Sequence, residues 1–150
     1  MAAIPEGFSS VTPTLVVDDA AQAIELYKKA FGAKEIHRMN CPQSGKIMHA
    51  CIEIGTSKLF LSDAGPADKG CASATSSNFS VYVNDADKIC GQAKHAGLQE
   101  TMPVQDMFWG DRMGNVKDKF GNSWTVATHV RDVSPQEMQE AMKKMASQAA

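Results

Sequence analysis

The chain has 150 residues, of which 43% are hydrophobic and 21% charged, and a formal net charge of −2. This fits one ordinary globular domain with a core that needs no covalent staples, and it excludes a coiled coil, a collagen-like fibre and wholesale disorder. The near-neutral balance argues against a dedicated nucleic-acid binder, which carries a basic excess.

No uncharged apolar stretch approaches the ~20 residues that span a bilayer, so no membrane partner is expected. The opening MAAIPEGFSS lacks a basic region followed by an apolar run, so no export signal is expected either. Cysteines stand at 41, 51, 71 and 90 without a CxxC pair, which fits free thiols in a reducing cytoplasm. Asn78-Phe79-Ser80 matches a glycosylation acceptor, and with no export expected the match reads as chance.

Residues 11–17 read as a strand. Asp18 and Asp19 are N-cap candidates for a helix whose apolar face is Ala20, Ala23, Ile24, Tyr27 and Phe31, and Gly32 stops it. Strands are predicted at 34–40, 46–54 and 58–62, with turns at Gly45 and Gly55. The second half repeats this order. A strand at 78–83 precedes a helix begun by Asp85, with Ala86, Ile89, Cys90 and Ala93 on one face and Gly97 at its end. Strands follow at 98–105, 111–119 and 123–130. Asp19 to Asp85 and Gly55 to Gly121 are each 66 positions apart, and Gly32 to Gly97 is 65. Such a period predicts a duplicated βαβββ module. Ser134, Pro135 and Glu137 form a capping box opening a last helix, with a Met138, Ala141, Met142 and Met145 stripe suited to packing on the sheet or a second subunit. The expected division is a single domain, 1–150, with modules at 8–63 and 78–130, a linker at 64–77 and a C-terminal helix at 134–147.

Three stretches, TPTLVVDDAAQAIELYKKAFGA, MHACIEIGTSKLFLSDAG and FWGDRMGNVKDKFGNSWTVATHVRDVSPQEM, span nearly the whole chain. In them the sequence resembles the vicinal oxygen chelate superfamily, the glyoxalase, bleomycin-resistance and dioxygenase group, and within it the PhnB-like family. The resemblance implies an α+β fold of two βαβββ modules with curved mixed sheets around a pocket, usually completed in a dimer. PhnB-like chains are often labelled demethylubiquinone methyltransferases. Here no glycine-rich loop follows a first strand to cradle a methyl-donor nucleotide. The resemblance also implies a divalent metal held by His and Glu on the first and last strand of each module. Those positions here are Thr12, Asn78 and Thr125, with Leu59 or Phe60 as the fourth. Hydroxyls and an amide are weak ligands for zinc, nickel or iron, so the expectation is no metal and no cofactor.

Other residues offer chemistry of their own. His49 and Cys51 share a strand face, and His37 and Cys41 share a parity on the neighbouring strand, so an N/S metal cluster stands beside the simpler reading of a hairpin with buried thiols. His49 itself is either a satisfied core residue or a pocket donor. His95, late in the second helix, reads as structural and exposed. His129 and Asp63 end the last strands of the two modules. Each is either a pocket-rim group, His129 as a general base, or a strand-end polar residue bonded to nearby backbone. Phe108-Trp109-Gly110-Asp111-Arg112 offers a stacking face and a guanidinium fork for a planar or anionic ligand. The alternative puts Trp109 in the core and pairs Arg112 with Asp111 or Asp118. Met39, Met48, Met102, Met107 and Met113 are pocket lining or core filler.

The expectation is a cytoplasmic homodimer that binds a small molecule in the curved sheet. The alternatives are a metal-dependent lyase, isomerase or dioxygenase with non-standard ligands, and a dimeric scaffold without a ligand.

Overall fold

The computed structural model describes residues 2–66 and 72–149, so the middle of the expected linker, with Cys71, lies outside the described residues. Thr14–Val17 (β1), Ala20–Phe31 (α1), Lys34–Asn40 (β2), Ile47–Ile54 (β3) and Ser57–Asp63 (β4) make the first module. Asn78–Tyr82 (β5), Ala86–Ala96 (α2), Gln99–Asp106 (β6), Asp111–Lys117 (β7) and Ser123–His129 (β8) make the second, and Pro135–Ala149 is α3. The first sheet has the order β1-β4-β3-β2 and the second β5-β8-β7-β6. In each the first strand lies parallel to the last and the other pairs are antiparallel. This is the α+β, two-module architecture that the sequence period predicts.

Local chemistry explains why the halves fold alike. Asp19 and Asp85 each accept a backbone N–H three residues on, both at 3.1 Å, and so cap α1 and α2. Gly32 and Gly97 close the same helices in the left-handed conformation, at φ 69° and 115°. α1 buries Ala20, Ala23, Ile24, Tyr27 and Ala30, and α2 buries Ala86, Cys90 and Ala93.

One continuous core joins the modules, and its polar centre is the loop between β7 and β8. Asp118 and Asn122 are almost fully buried there. Asp118 accepts four hydrogen bonds: Tyr27 Oη at 2.6 Å, Trp124 Nε1 at 3.1 Å, and the backbone N–H groups of Phe120 and Asn122 at 2.9 and 3.0 Å. Asn122 donates to Tyr27 Oη at 3.2 Å and accepts from the Ser77 N–H at 3.1 Å. Phe31 packs on the Trp124 ring with centroids 4.7 Å apart. Burial, reinforced by the Asp118 charge, pushes the Tyr27 phenol far above its ordinary pKa, so it stays a donor.

Boundaries shift where backbone donors are missing or spent. β1 starts at Thr14, not at residue 11, because Pro13 has no N–H to give; its carbonyl accepts from Phe60 at 2.9 Å. β7 ends at Lys117, two residues before the predicted 119, because Asp118 turns inward to order its loop. β8 stops at His129, where the N–H groups of Val130 and Arg131 converge on one acceptor, Gly110 O, and the chain leaves the ladder. Ser134 accepts from the Glu137 N–H at 3.1 Å, as the capping box requires, and α3 runs to Ala149, past the expected 147. Its Met142 and Met145 are exposed. No helix among the described residues is long and apolar enough to cross a membrane.

Removing the Asp118 carboxylate strands buried donors from both modules. Asp118→Ala is expected to cost about 3–5 kcal/mol in urea unfolding. Tyr27→Phe, which deletes one hydroxyl, is expected to cost only about 1 kcal/mol.

Candidate functional site

The outer strands β1 and β5 are the edges of their sheets, and a cleft of about 510 Å³ opens where the modules meet. Thr12, Pro13 and Lys58 line it from the first module, and Ser80, Tyr82 and Trp124 from the second. Its volume falls within the roughly 300–1,000 Å³ of small-molecule pockets.

Alternation along the strands gives each sheet one face against the helices and one open face. In the first module Leu59 and Leu61 are buried toward α1, so Phe60 takes the open face. Cross-strand pairing puts Phe60 opposite Cys51 and Cys51 opposite His37. Phe60 packs against His49 with ring centroids 4.6 Å apart, and His49 packs against His37 at 5.0 Å. Phe8 extends the row at 5.8 Å from Phe60. Lys58 holds Phe8 in place: its Nζ donates to Gly7 O and to Glu53 Oε2, both at 3.0 Å, and lies 5.2 Å above the Phe8 ring. The result is a continuous strip of four rings across the open face.

The second module's open face is polar. β5 presents Tyr82, β7 Asp111 and β8 His129, with Asp111 and His129 directly paired. The buried Asp111 accepts from Tyr82 Oη at 2.8 Å on one oxygen and meets His129 Nδ1 at 2.9 Å on the other. His129 Nε2 meets Asp132 Oδ1 at 2.7 Å, just beyond the strand end. Burial pushes the Asp111 carboxyl up, but the bonds from His129 and Tyr82 outweigh it and hold the group below its ordinary value. Asp132 first, and then Asp111, raise His129 above the ordinary imidazole range, while the Tyr82 phenol is raised by the same Asp111.

The predicted site residues are thus sorted onto different surfaces. His49 joins the ring strip, and Asp111 and His129 join the polar chain. Thr12 lines the cleft, while Asn78 is exposed at the start of β5. Thr125 is half-buried, its hydroxyl donating to Asn115 Oδ1 at 2.8 Å. Asp63 belongs to the helix side. Its two oxygens accept from the N–H groups of Ala20, at 2.8 Å, and Ile47, at 2.7 Å, fixing the start of α1. Trp109 sits half-buried in the turn before β7, edge-on to Phe108 at 4.9 Å. Arg112 points away from Asp111, since neighbours on a strand face opposite ways. Its guanidinium is bidentate to Asp87 of α2, at 2.7 and 3.0 Å, and reaches Asp106 at 3.2 Å, partners other than the Asp111 or Asp118 expected from sequence. Cys41 bonds Gln43 in the β2–β3 turn, and His95 is exposed on α2. Sequence reasoning missed Phe8, Lys58, Tyr82 and Asp132. For Tyr82 a signal existed, because it shares the parity of Asn78 and Ser80 on β5.

A family model for the glyoxalase/bleomycin resistance protein/dioxygenase superfamily matches residues 9–126. The chain belongs to this superfamily. It is 38% identical over 140 residues to an uncharacterized protein of Mycobacterium bovis, covering 89% of this chain and 91% of that one. It is also similar to the solved structure of TioX from Micromonospora sp. ML1, at 28% identity and a TM-score of 0.68, covering 81% of this chain and 99% of that chain. The PhnB protein from Bacillus cereus, at 16% identity and a TM-score of 0.58 over 80% of this chain and 99% of that chain, shares the fold.

Within this superfamily the resemblance points to a metal held on the first and last strands. The pairing settles the fourth position: Thr14 lies opposite Phe60 as Ser80 lies opposite Thr125, so Phe60 is the counterpart of Thr125. A set of Thr12, Phe60, Asn78 and Thr125 contains no imidazole, thiolate or carboxylate, and it does not fit such a metal. Among the described residues, no group of three or more His, Cys, Asp or Glu is placed to hold a metal ion, so His37, Cys41, His49 and Cys51 do not form the N/S cluster their parity allowed.

Two outcomes follow from this geometry. An NMR titration should place the His129 midpoint above the ordinary ~6.5, and Asp132→Asn should lower it. Because the folded value is raised, the stabilisation is complete below the unfolded pKa and disappears as pH rises through the folded one. Arg112→Ala, which breaks only partly exposed ion pairs, should cost less than about 1 kcal/mol by urea unfolding.

Proposed function

We propose that the chain is a PhnB-like member of the superfamily that binds a small organic molecule with a planar apolar part, without the usual metal. The observation that carries this reading is Phe60: a ring occupies a position where metal chemistry needs a donor, and it is the centre of the strip Phe8–Phe60–His49–His37. Offset and tilted rings favour a flat guest by area burial and stacking. The cleft between the modules supplies a partly open volume, with Thr12 and Ser80 as neutral hydrogen-bonding groups. Binding of this kind needs no reaction.

The protein is proposed to act as a homodimer. The exposed methionines of α3 and the open sheet edges support this assembly, since apolar faces and unpaired edges are commonly covered by a second copy. Free thiols at Cys41, Cys51 and Cys90 support a reducing compartment such as the cytoplasm.

The test is a thermal-shift and calorimetric screen of planar aromatic compounds, run beside elemental analysis and titrations with zinc, nickel and manganese. Phe60→Ala should weaken a planar binder about tenfold, the order expected for one buried ring contact. Stoichiometric metal on His49 or His129, with planar compounds silent, would instead support the metal-dependent enzyme.

A further inference from the structure

The polar chain on the second module ends in an unusual arrangement. Asp111 is 8% exposed in its side chain and grips both Tyr82 Oη and His129 Nδ1, so the orientation of His129 is fixed from behind. His129 itself is 52% exposed, and Asp132, which meets its outward nitrogen, is fully exposed. The backbone up to Arg131 is pinned, because the Val130 and Arg131 N–H groups both donate to Gly110 O, at 2.9 and 3.1 Å. The α3 cap begins at Ser134. Asp132 therefore sits on a two-residue tether between fixed points, with its carboxylate laid on an imidazole that the fold holds rigidly. The Tyr82 ring, exposed and bonded to the same Asp111, belongs to the cleft lining.

We infer that His129 Nε2 is an anion subsite, linked to the cleft wall through Asp111 and Tyr82, that takes the carboxylate of a small organic acid, and that Asp132 is its internal stand-in, displaced when the acid binds. This rests on the small-molecule reading above and assigns that molecule a charged end. The chemistry favours a carboxylate because the stand-in is one, held by a single N–H donor. The imidazolium that makes the subsite attractive to anions is maintained by Asp111 after Asp132 has left, so displacement does not remove the charge.

The inference predicts competition. An exposed ion pair closes with an equilibrium constant of only about one to five, so removing the internal competitor should tighten an external carboxylate about two- to sixfold. The test follows the His129 ring resonances, with the Tyr82 ring resonances as the readout in all three proteins including the one without His129, at pH 5.5, where an imidazole of ordinary pKa is already largely protonated. The probes are benzoate, its neutral analogue benzamide, and inorganic phosphate. They are titrated into the wild type, Asp132→Asn and His129→Gln, with folding checked by melting temperature. Benzoate shifting His129 more tightly in Asp132→Asn than in the wild type, benzamide not shifting it, and benzoate losing affinity in His129→Gln, is the expected result. A tighter response to phosphate than to benzoate would overturn the assignment to an organic acid. Equal responses to benzoate and benzamide, unchanged benzoate affinity in Asp132→Asn, or no His129 shift in that variant would overturn the subsite. The resonances of His49 and Phe60, read in the same spectra with neutral planar compounds, report separately on the parent reading. Shifts there with a silent His129 sink only the subsite, and silence at both sinks both.

Discussion

A single buried carboxylate joins the two halves of this protein. Asp118 receives hydrogen bonds from a helix of the first module, from a strand of the second, and from its own loop, and it sits where water does not reach. A charge in such a place is tolerated only if its bonds are complete, and here the described buried side-chain polar atoms all have partners. The arrangement is specific in a way that apolar packing is not. Leucines would hold two modules together at many angles, whereas the directions of Tyr27 Oη and Trp124 Nε1 allow one.

That fixed angle sets the functional surface. Because α1 and sheet two are tied through Tyr27 and Trp124, the edges β1 and β5 stand apart across a cleft instead of merging into one ladder. The helices take one face of each sheet, and alternation leaves the other face open. In the first module the open face is a row of rings, and the Lys58 clamp brings Phe8 into that row from the N-terminal segment. In the second it is a chain of proton-sharing groups anchored on a buried carboxylate.

Much of this was legible in the sequence wherever the signal is local. Asp19 and Asp85 as caps, Gly32 and Gly97 as stops, and the constant offset between them need only a few neighbouring residues to be read, and they delivered both modules. The site was less legible because it depends on pairing. Whether Leu59 or Phe60 faces outward is a matter of register, which parity within one strand leaves open. Asp111 and Arg112 are adjacent in the chain, and adjacency on a strand places them on opposite faces, a signal the sequence does carry. The partners of Arg112, on α2 and at the end of β6, come from elements whose relation only the tertiary fold fixes. Phe8 and Asp132 lie outside any periodic segment, where pattern carries no information about position.

The start of each helix is anchored from the end of its sheet, by Asp63 in the first module and by Thr128 in the second, at 2.8 and 2.9 Å. The same mechanical task is thus done by a charged group in one half and a neutral one in the other. In the second half the duty falls one position earlier on the strand relative to its end, which releases His129 from holding the scaffold. Duplication supplied two equivalent posts, and both are filled, by unlike chemistry. The walls of the cleft are correspondingly unlike, Thr12, Pro13 and Lys58 on one side and Ser80, Tyr82 and Trp124 on the other, so the space between the halves has two distinguishable ends although one period built both.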